Sequence, residues 1–421
     1  MLVAALGCLV AAGIPASAVN ATHPTVVSED PANYTPHMLD GTVYKLLQVG
    51  DRVYAGGSYT RVRNAGSTTE YARRYLVAFN RVTGQLDLAF NPVLDGAVHS
   101  LVAAPDGLSL YAGGSFRTVN GTTSRSVARL NAVTGARWAG FAPAVFSGAV
   151  ADMRLLGARL LVGGSFQYVA GASRPGLVAL NAGTGAVDPF LHTMVLSEKR
   201  VTPTGVTSPL KVTGMDVSPD GSRLVIIGGF NRVAGQLRPQ LAVIDLTTNP
   251  ASLHSWATDR YRPYCANSVP VYTTGIDIAP DGTWFSVVTQ GYMYTGLLCD
   301  SATRWQLNRT GGGQQPVWVN YTGGDTLLSV AITGPAVYVG GHQRWLNNPY
   351  GRNSAGAGAV SRPGIGATHP TTGLALSWNP GKTRGVGTQD VYATPQGLYI
   401  GSDGSYVNGE YHGKIAFFPL P

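Results

Sequence analysis

Tyr54-Ala55-Gly56-Gly57-Ser58-Tyr59 decides the fold, because it returns. It recurs as Tyr111-Ala112-Gly113-Gly114-Ser115-Phe116 and Leu161-Val162-Gly163-Gly164-Ser165-Phe166. Further copies are Ile226-Ile227-Gly228-Gly229-Phe230, Tyr338-Val339-Gly340-Gly341-His342 and the last, Tyr399-Ile400-Gly401-Ser402. Second glycines are spaced by 57, 50 and 65 residues, then by 112, and finally by 61 to Ser402. The step of 112 is twice 56 and calls for a worn copy near residue 285, where Trp284-Phe285-Ser286-Val287-Val288 is a β-type run. Fixed self-similarity at this period marks a repeat architecture of seven units.

Each unit carries marks for four strands. Before the Gly-Gly strand stands a tight turn: Pro105-Asp106-Gly107, Pro219-Asp220-Gly221, Pro280-Asp281-Gly282 and Pro395-Gln396-Gly397. Proline presets φ early in such a turn and glycine accepts a positive φ. After it come Val-Asn-Gly loops (Val119-Asn120-Gly121, Val407-Asn408-Gly409) and a third apolar strand. That strand ends in a second turn running from Asn80, Asn131, Asn181 or His369 to Gly84, Gly135, Gly185 or Gly373. An aromatic follows on the fourth strand: Phe90, Phe141, Phe190 and Trp378, with Trp256 and Trp318 as looser equivalents.

Four short antiparallel strands per unit predict an all-β, seven-bladed β-propeller of four-stranded blades. Blades fall at about 41–94, 95–146, 147–210, 211–270, 271–322, 323–386 and 387–421. The last unit lacks a fourth strand, while residues 19–40 precede the first. A strand between His23 and His37, laid beside Lys414–Phe418, would complete it and hide the sheet edges by closing the ring.

The repeats resemble the delta-sixty-repeat β-propellers of secreted actinobacterial proteins, over nearly all of residues 41–421. The likeness is sharpest at Gly340-Gly341-His342-Gln343-Arg344-Trp345-Leu346-Asn347-Asn348-Pro349 and at Tyr411-His412-Gly413-Lys414-Ile415-Ala416-Phe417-Phe418-Pro419-Leu420. It implies a propeller and export, and no settled activity.

Composition agrees with such a fold. Among 421 residues, 55 glycines and 26 prolines are rich in turns, and only 12% of residues are charged, which disfavours coiled coils and charge-rich disorder. The net charge of +8 comes from 25 arginines and 5 lysines without a basic run, so a nucleic-acid partner is not expected. Leu2–Ile14 is apolar and Pro15-Ala16-Ser17-Ala18 offers a small-x-small site, so residues 1–18 are expected to be a secretory signal peptide. The absent basic flank leaves room for a start upstream of Met1, and Cys8 allows a lipoprotein alternative. The apolar run is too short to span a bilayer. In the exported chain 19–421, a single domain, Cys265 and Cys299 remain and are expected to pair as a disulfide.

Enzymatic signatures are absent: no Gly-x-Ser-x-Gly, no His-Glu-x-x-His, and Gly381-Lys382-Thr383 lacks the first glycine of a P-loop, with Leu376 in its place. Asp216 and Asp277 both precede Pro-Asp-Gly turns by four residues, so they repeat each other and read as structural. Unassigned acids include Glu70, Asp95, Glu198, Asp325, Asp390, Asp403 and Glu410. Arginines recur where the third strand starts, as Arg74, Arg125, Arg174, Arg238 and Arg362, with His412 in the seventh register. They form a cationic ring or donate to carbonyls of a neighbouring blade, the second being preferred. His342 takes the register of Tyr59, Phe116, Phe166 and Phe230, and His369 that of the capping asparagines. Scattered histidines argue against a metal, and no cofactor is expected.

Departures from the repeat carry the functional reading. Trp345 through Val360 is a long Gly/Asn-rich insertion, and Asp403, Ser405 and Tyr406 decorate the equivalent loop of the last repeat. Tyr261-Arg262-Pro263-Tyr264-Cys265 and Tyr292-Met293-Tyr294 add tyrosines around the cysteines. Aromatic rings beside amides and hydroxyls suit sugar stacking or protein contact. The candidate ligand-binding residues are Trp345, Arg344, His342, Asp403 and Tyr406. The expectation is a secreted monomeric module that binds an extracellular glycan, a cell-envelope component or a protein. The alternative is a polysaccharide-active hydrolase or lyase at the mouth of the axial channel.

Overall fold

The computed structural model describes residues 20–266, 268–292 and 296–421, so the expected signal peptide and Tyr294 lie outside the described residues. The described residues are all-β, with one short 3-10 helix (Pro189–Leu191) among many strands. Among the described residues, seven antiparallel meander sheets follow one another. The first joins Val43–Val49, Arg52–Gly57 and Leu76–Asn80; the last joins Thr388–Thr394, Gly397–Ser402 and Ile415–Pro419. Inner strands pack in sequence order: Val43–Val49, Val98–Ala103, Val150–Leu156, Val212–Val217, Thr273–Ile278, Leu327–Ile332 and Thr388–Thr394, the last also touching the first. No described helix is long and apolar enough to cross a membrane.

The Gly-Gly pair has a packing cause. A Cβ on Gly56 would lie 2.7 Å from Val98 Cγ1 of the following sheet, and one on Gly401 would lie 2.7 Å from Val43 Cγ1 of the first. The second strand therefore approaches the next inner strand too closely for a side chain. Tyrosine hydroxyls rivet the sheets further out: Tyr54 Oη donates to the Ala132 carbonyl and Tyr111 Oη to Ala182, each at 2.6 Å. Phe90 and Phe141 pack edge-on against those two rings. The Val-Asn-Gly loops are two-residue hairpins with both φ angles positive, as at Asn120 (49°) and Gly121 (74°). They place short hairpins on one common face.

Several expectations need correction. Among the described residues only the third, fourth and fifth sheets have a fourth strand. Elsewhere it shrinks to single bridges such as Phe79↔Leu86, Leu130↔Arg137 and Thr368↔Ala375. Pro92, Pro143 and Pro380 follow closely after these bridges, and proline cannot donate to a ladder. No strand forms between residues 23 and 36, and His37–Met38 pairs with Arg61–Arg63 rather than with the last sheet. Residues 28–35 still run beside that sheet: Ser28 N donates to Pro419 O (2.9 Å) and Ala32 N to Phe417 O (2.8 Å). Pro24, Pro31 and Pro36 thin this pairing to isolated bonds.

Register also slips where glycine was the only guide. Val212 faces Gly228, as Val150 faces Gly164, so Gly228 and not Gly229 is the second glycine of its sheet. His342 N donates to Thr326 O as Ser58 N donates to Thr42 O, so His342 matches Ser58, and buried Gln343 takes the place of Tyr59. The arginine set is shifted at two positions. Arg73 and Ser124 bond back to the second strand's exit as Arg174, Arg238 and Arg362 do, which leaves Arg74 and Arg125 exposed. Arg238 and Arg362 donate to His254 O and Leu376 O of their own sheets, not to a neighbouring blade.

Candidate functional site

Each inner strand begins with a β-bulge: the register shifts at Val43/Lys45, Val98/Ser100, Val150/Asp152, Val212/Gly214, Thr273/Gly275, Leu327/Ser329 and Thr388/Asp390. A bulge leaves one residue unpaired and re-aims its side chain. The bulged residues are Tyr44, His99, Ala151, Thr213, Thr274, Leu328 and Gln389, and all seven line one cavity of about 460 Å³ between the inner strands. Lys211, Ser165 and Gln290 line its mouth on the hairpin-bearing side, and Asn20 lines the far end.

Below the bulges lie the charges. Lys45 Nζ pairs with Asp390 Oδ1 at 2.8 Å, while Asp390 Oδ2 accepts from Leu46 N at 2.8 Å. Arg154 bridges Asp152 (2.5 Å) and Asp216 (2.9 Å). Each acid also accepts from the next inner strand: Asp152 from Met215 N, Asp216 from Ile278 N and Asp277 from Ile332 N. Inner strands are sheet edges with unpaired N–H groups, and these carboxylates satisfy them. Asn20 donates to Asp277 (2.9 Å) and accepts from Ala393 N (2.8 Å), tying the start of the described chain into the base. Burial, reinforced by the charge of Asp216, holds the Asp277 carboxyl well above the usual carboxylate range. Burial raises Asp216 too, against the pull of Arg154.

The upper level is different. Thr213 and Thr274 donate to Thr273 O and Leu327 O of the next sheets. The Tyr44 hydroxyl, the His99 ring nitrogens, the Gln389 amide and Lys211 Nζ engage no partner in the described structure. The Tyr44 and His99 rings pack at a tilt of 43° with centroids 4.9 Å apart. Burial lowers the pKa of His99 and of Lys211. Sequence reasoning missed this arc, although a repeated signal was present. Every inner strand starts with Val, Thr or Leu, then a variable residue, then a small or charged one.

The residues singled out from the sequence do come together, along the linker 382–387. Arg344 grips Asp325 through two nitrogens (2.9 and 3.0 Å) and lies over the Trp345 ring at 4.3 Å. Arg384 donates to Asp325 (3.1 Å) and to His342 O (2.8 Å), and the His342 ring bonds Gly385 O. Asp403 accepts from Val386 N (2.6 Å) and Gly387 N (2.9 Å). Thr383 N donates to Tyr406 O, and the half-exposed Tyr406 ring packs edge-on against Tyr411. His342 and Asp403 therefore staple hairpins to the linker directly and Arg344 does so through the Asp325 it shares with Arg384, whereas Trp345 only packs under Arg344 and the Tyr406 ring stays half-exposed. The unassigned acids are engaged likewise: Glu70 with Arg61, Asp95 with Arg117 N, Glu198 with Arg232, Glu410 with His412.

Cys265 and Cys299 are joined as a disulfide. Around it Tyr261 is fully buried, correcting its reading as an exposed ring, whereas Tyr292 is exposed. Beside Cys299, Asp300 is fully buried with both carboxyl oxygens lacking a hydrogen-bond partner. Burial, with the charge of Asp325 adding to it, pushes its carboxyl up to about 8, and the Gly291 amide offsets part of this from outside hydrogen-bonding geometry. No group of three or more metal-ligating side chains occurs among the described residues.

Residues 105–136 and 159–190 match the family described as a β-propeller domain of unknown function, DUF5122. The first runs from the turn before the second strand through the hairpin to the turn after the third strand, and the second from the second strand through the fourth, Val187–Asp188, into the short helix. Repeat match and meander sheets together give a β-propeller architecture. No curated protein matches the chain. The crystal structure of a computationally designed protein, Ika8, resembles it with 12% identity and a TM-score of 0.47, covering 94% of this chain and 99% of that one.

Proposed function

We propose that the seven sheets are the blades of a closed propeller of the delta-sixty-repeat type, and that it acts outside the cell as a monomeric, non-catalytic binding module. Closure is supported by the bonds from Asp390 to Leu46 and Lys45, which tie the last sheet to the first. Val27 N donates to Tyr338 Oη, and Trp378 Nε1 donates to Ser28 O, so the N-terminal segment occupies a fourth-strand place. The disulfide suits an oxidising compartment.

One observation carries the choice of binding over catalysis. A glycosidase needs two carboxyl groups free to face the scissile bond. In the axial cavity Asp152, Asp277 and Asp390 are all held by backbone N–H groups of the adjoining strand, as is Asp216 behind Arg154, while neutral aromatic and amide groups stay open. That wall is suited to gripping a ligand and poor at transferring protons. The ligand is an extracellular glycan. A glycan array probed with the purified chain, assayed in parallel for reducing ends and unsaturated products, tests this: retention without products is expected. Product release would replace the module by a hydrolase or lyase. Silence in both would move the ligand to a protein or other cell-envelope component.

A further inference from the structure

Resting on the binding reading, we propose that the cavity takes one terminal uronic-acid residue of an acidic glycan, its ring against Tyr44 and His99 and its carboxylate on Lys211. The cavity is lined by all seven inner strands, and its size falls within the ordinary range of small-molecule sites. Its far end holds Asn20, bonded to both Asp277 and Ala393, so a chain end fits better than a strand threaded through.

Charge placement sets the orientation. Of the three cations lining the cavity, Lys45 is paired with Asp390, and Arg154 is shared by Asp152 and Asp216. Two carboxylates on one guanidinium leave the base with surplus negative charge, so an anionic group is repelled from it. Lys211 stands at the mouth, immediately before the strand Val212–Val217, and has no counter-ion in the described structure. At about 3.3 Å per residue, the run from Lys211 down to the level of Asp216 places mouth and base roughly 15 Å apart. The carboxylate therefore stays at the mouth and the neutral ring enters.

The number of free donors sets the class. One unpaired ammonium matches a single negative charge, whereas a phosphate group favours several charged donors. Gln389, Tyr44 and His99 sit on consecutive inner strands and present an amide, a phenol and a neutral imidazole side by side. These are groups for hydroxyls and for the apolar face of a sugar ring. Beside them Ala151 and Leu328 offer only hydrocarbon, and opposite them the Thr213 and Thr274 hydroxyls are spent on Thr273 O and Leu327 O, so recognition is one-sided.

Isothermal titration of the full chain with D-glucuronate, D-glucose and acetate tests the assignment. Glucuronate should bind about tenfold or more tightly than either, since it alone engages both the ammonium and the arc. Lys211→Met should erase the advantage of glucuronate over glucose and leave glucose binding intact, while His99→Ala should weaken both sugars. Lys199→Met, an exposed lysine outside the cavity, should change nothing. Near-UV circular dichroism checks that each variant folds, and Lys211→Gln substitutes should the methionine variant fail. Acetate binding equal to glucuronate would reduce the site to an adventitious anion contact and overturn the proposal. So would unchanged glucuronate affinity in Lys211→Met. Absence of glucuronate binding while the array retains other glycans would sink the uronate assignment and leave the binding module standing. Product release would sink the module itself.

Discussion

Asp300→Asn should stabilise the protein in alkaline solution far more than in mild acid. The carboxyl is buried beside the disulfide, has no hydrogen-bond partner, and titrates at about 8. An unfolded aspartate titrates near 3.9, and each unit of difference is worth about 1.36 kcal/mol. Because the folded pKa is the higher one, its stabilising effect is complete below about pH 4, is lost as pH rises, and is gone above about pH 8. Asparagine keeps the shape and never ionises. Between about pH 5 and pH 9 the variant should therefore gain roughly 4 kcal/mol on the wild type, three units at that rate, with about 2 kcal/mol as the floor if the site relaxes. Any fixed cost of the amide's own hydrogens cancels, since only the change between the two pH values is read. Urea midpoints at both pH values measure it. Thermal melts are less sensitive, because about 2.1 cal/mol/K per residue over a chain this long gives only about 1 °C per kcal/mol. A variant whose advantage is the same at both pH values would refute the claim that Asp300 is held neutral by burial.

Three further outcomes follow from the contacts between sheets. Gly56→Val places a side chain where even a Cβ meets Val98 at 2.7 Å, and should cost about 1–3 kcal/mol by overpacking, seen as a lowered urea midpoint. Asp390→Ala strips the partner from Lys45 and the acceptor from Leu46 N, and a loss of about 3–5 kcal/mol is expected; an effect below about 1 kcal/mol would deny that this acid joins the last sheet to the first. Cys265→Ser with Cys299→Ser opens a loop of sequence separation 34, for which chain entropy gives a loss of about 3–4 kcal/mol, measured as the urea midpoint against the disulfide-bonded wild type.

The repeat was legible because its cause is local and recurs: in five of the seven sheets a glycine stands where the second strand nears the next sheet, and four of the short hairpins turn on two positive φ angles. Where the cause changed, the reading slipped. Gly228-Gly229 supplied two candidate registers for one contact, and only the pairing of Val212 with Gly228 shows which glycine is in place. Arg73-Arg74 and Ser124-Arg125 posed the same problem, because arginine was taken as the mark. The shared feature is instead the positive φ two residues after the bond back, at Tyr75, Ser126, Gly176, Gln240, Gly364 and Lys414, which residue identity conceals in all but two glycines.

The candidate site was harder for a different physical reason. Unusual loops drew notice to Arg344, His342 and Asp403, but a side chain that differs from its repeat equivalents also has different neighbours to satisfy. Arg344 stands with Arg384 on Asp325, and His342 holds Gly385, because the long Trp345–Val360 insertion must be fastened to the linker. Novelty there serves the fold. At the axis the logic reverses. A bulged residue is freed from the ladder by the backbone itself, so its side chain is not required for pairing, and seven positions can vary without loss of strand pairing. Threonine at two of them still bonds the next sheet; Tyr44, His99 and Gln389 do not. Polar groups left open in a cavity, at positions the fold does not constrain, are where a ligand's chemistry can be read, and they become visible only once the bulges fix which residue of each inner strand faces inward.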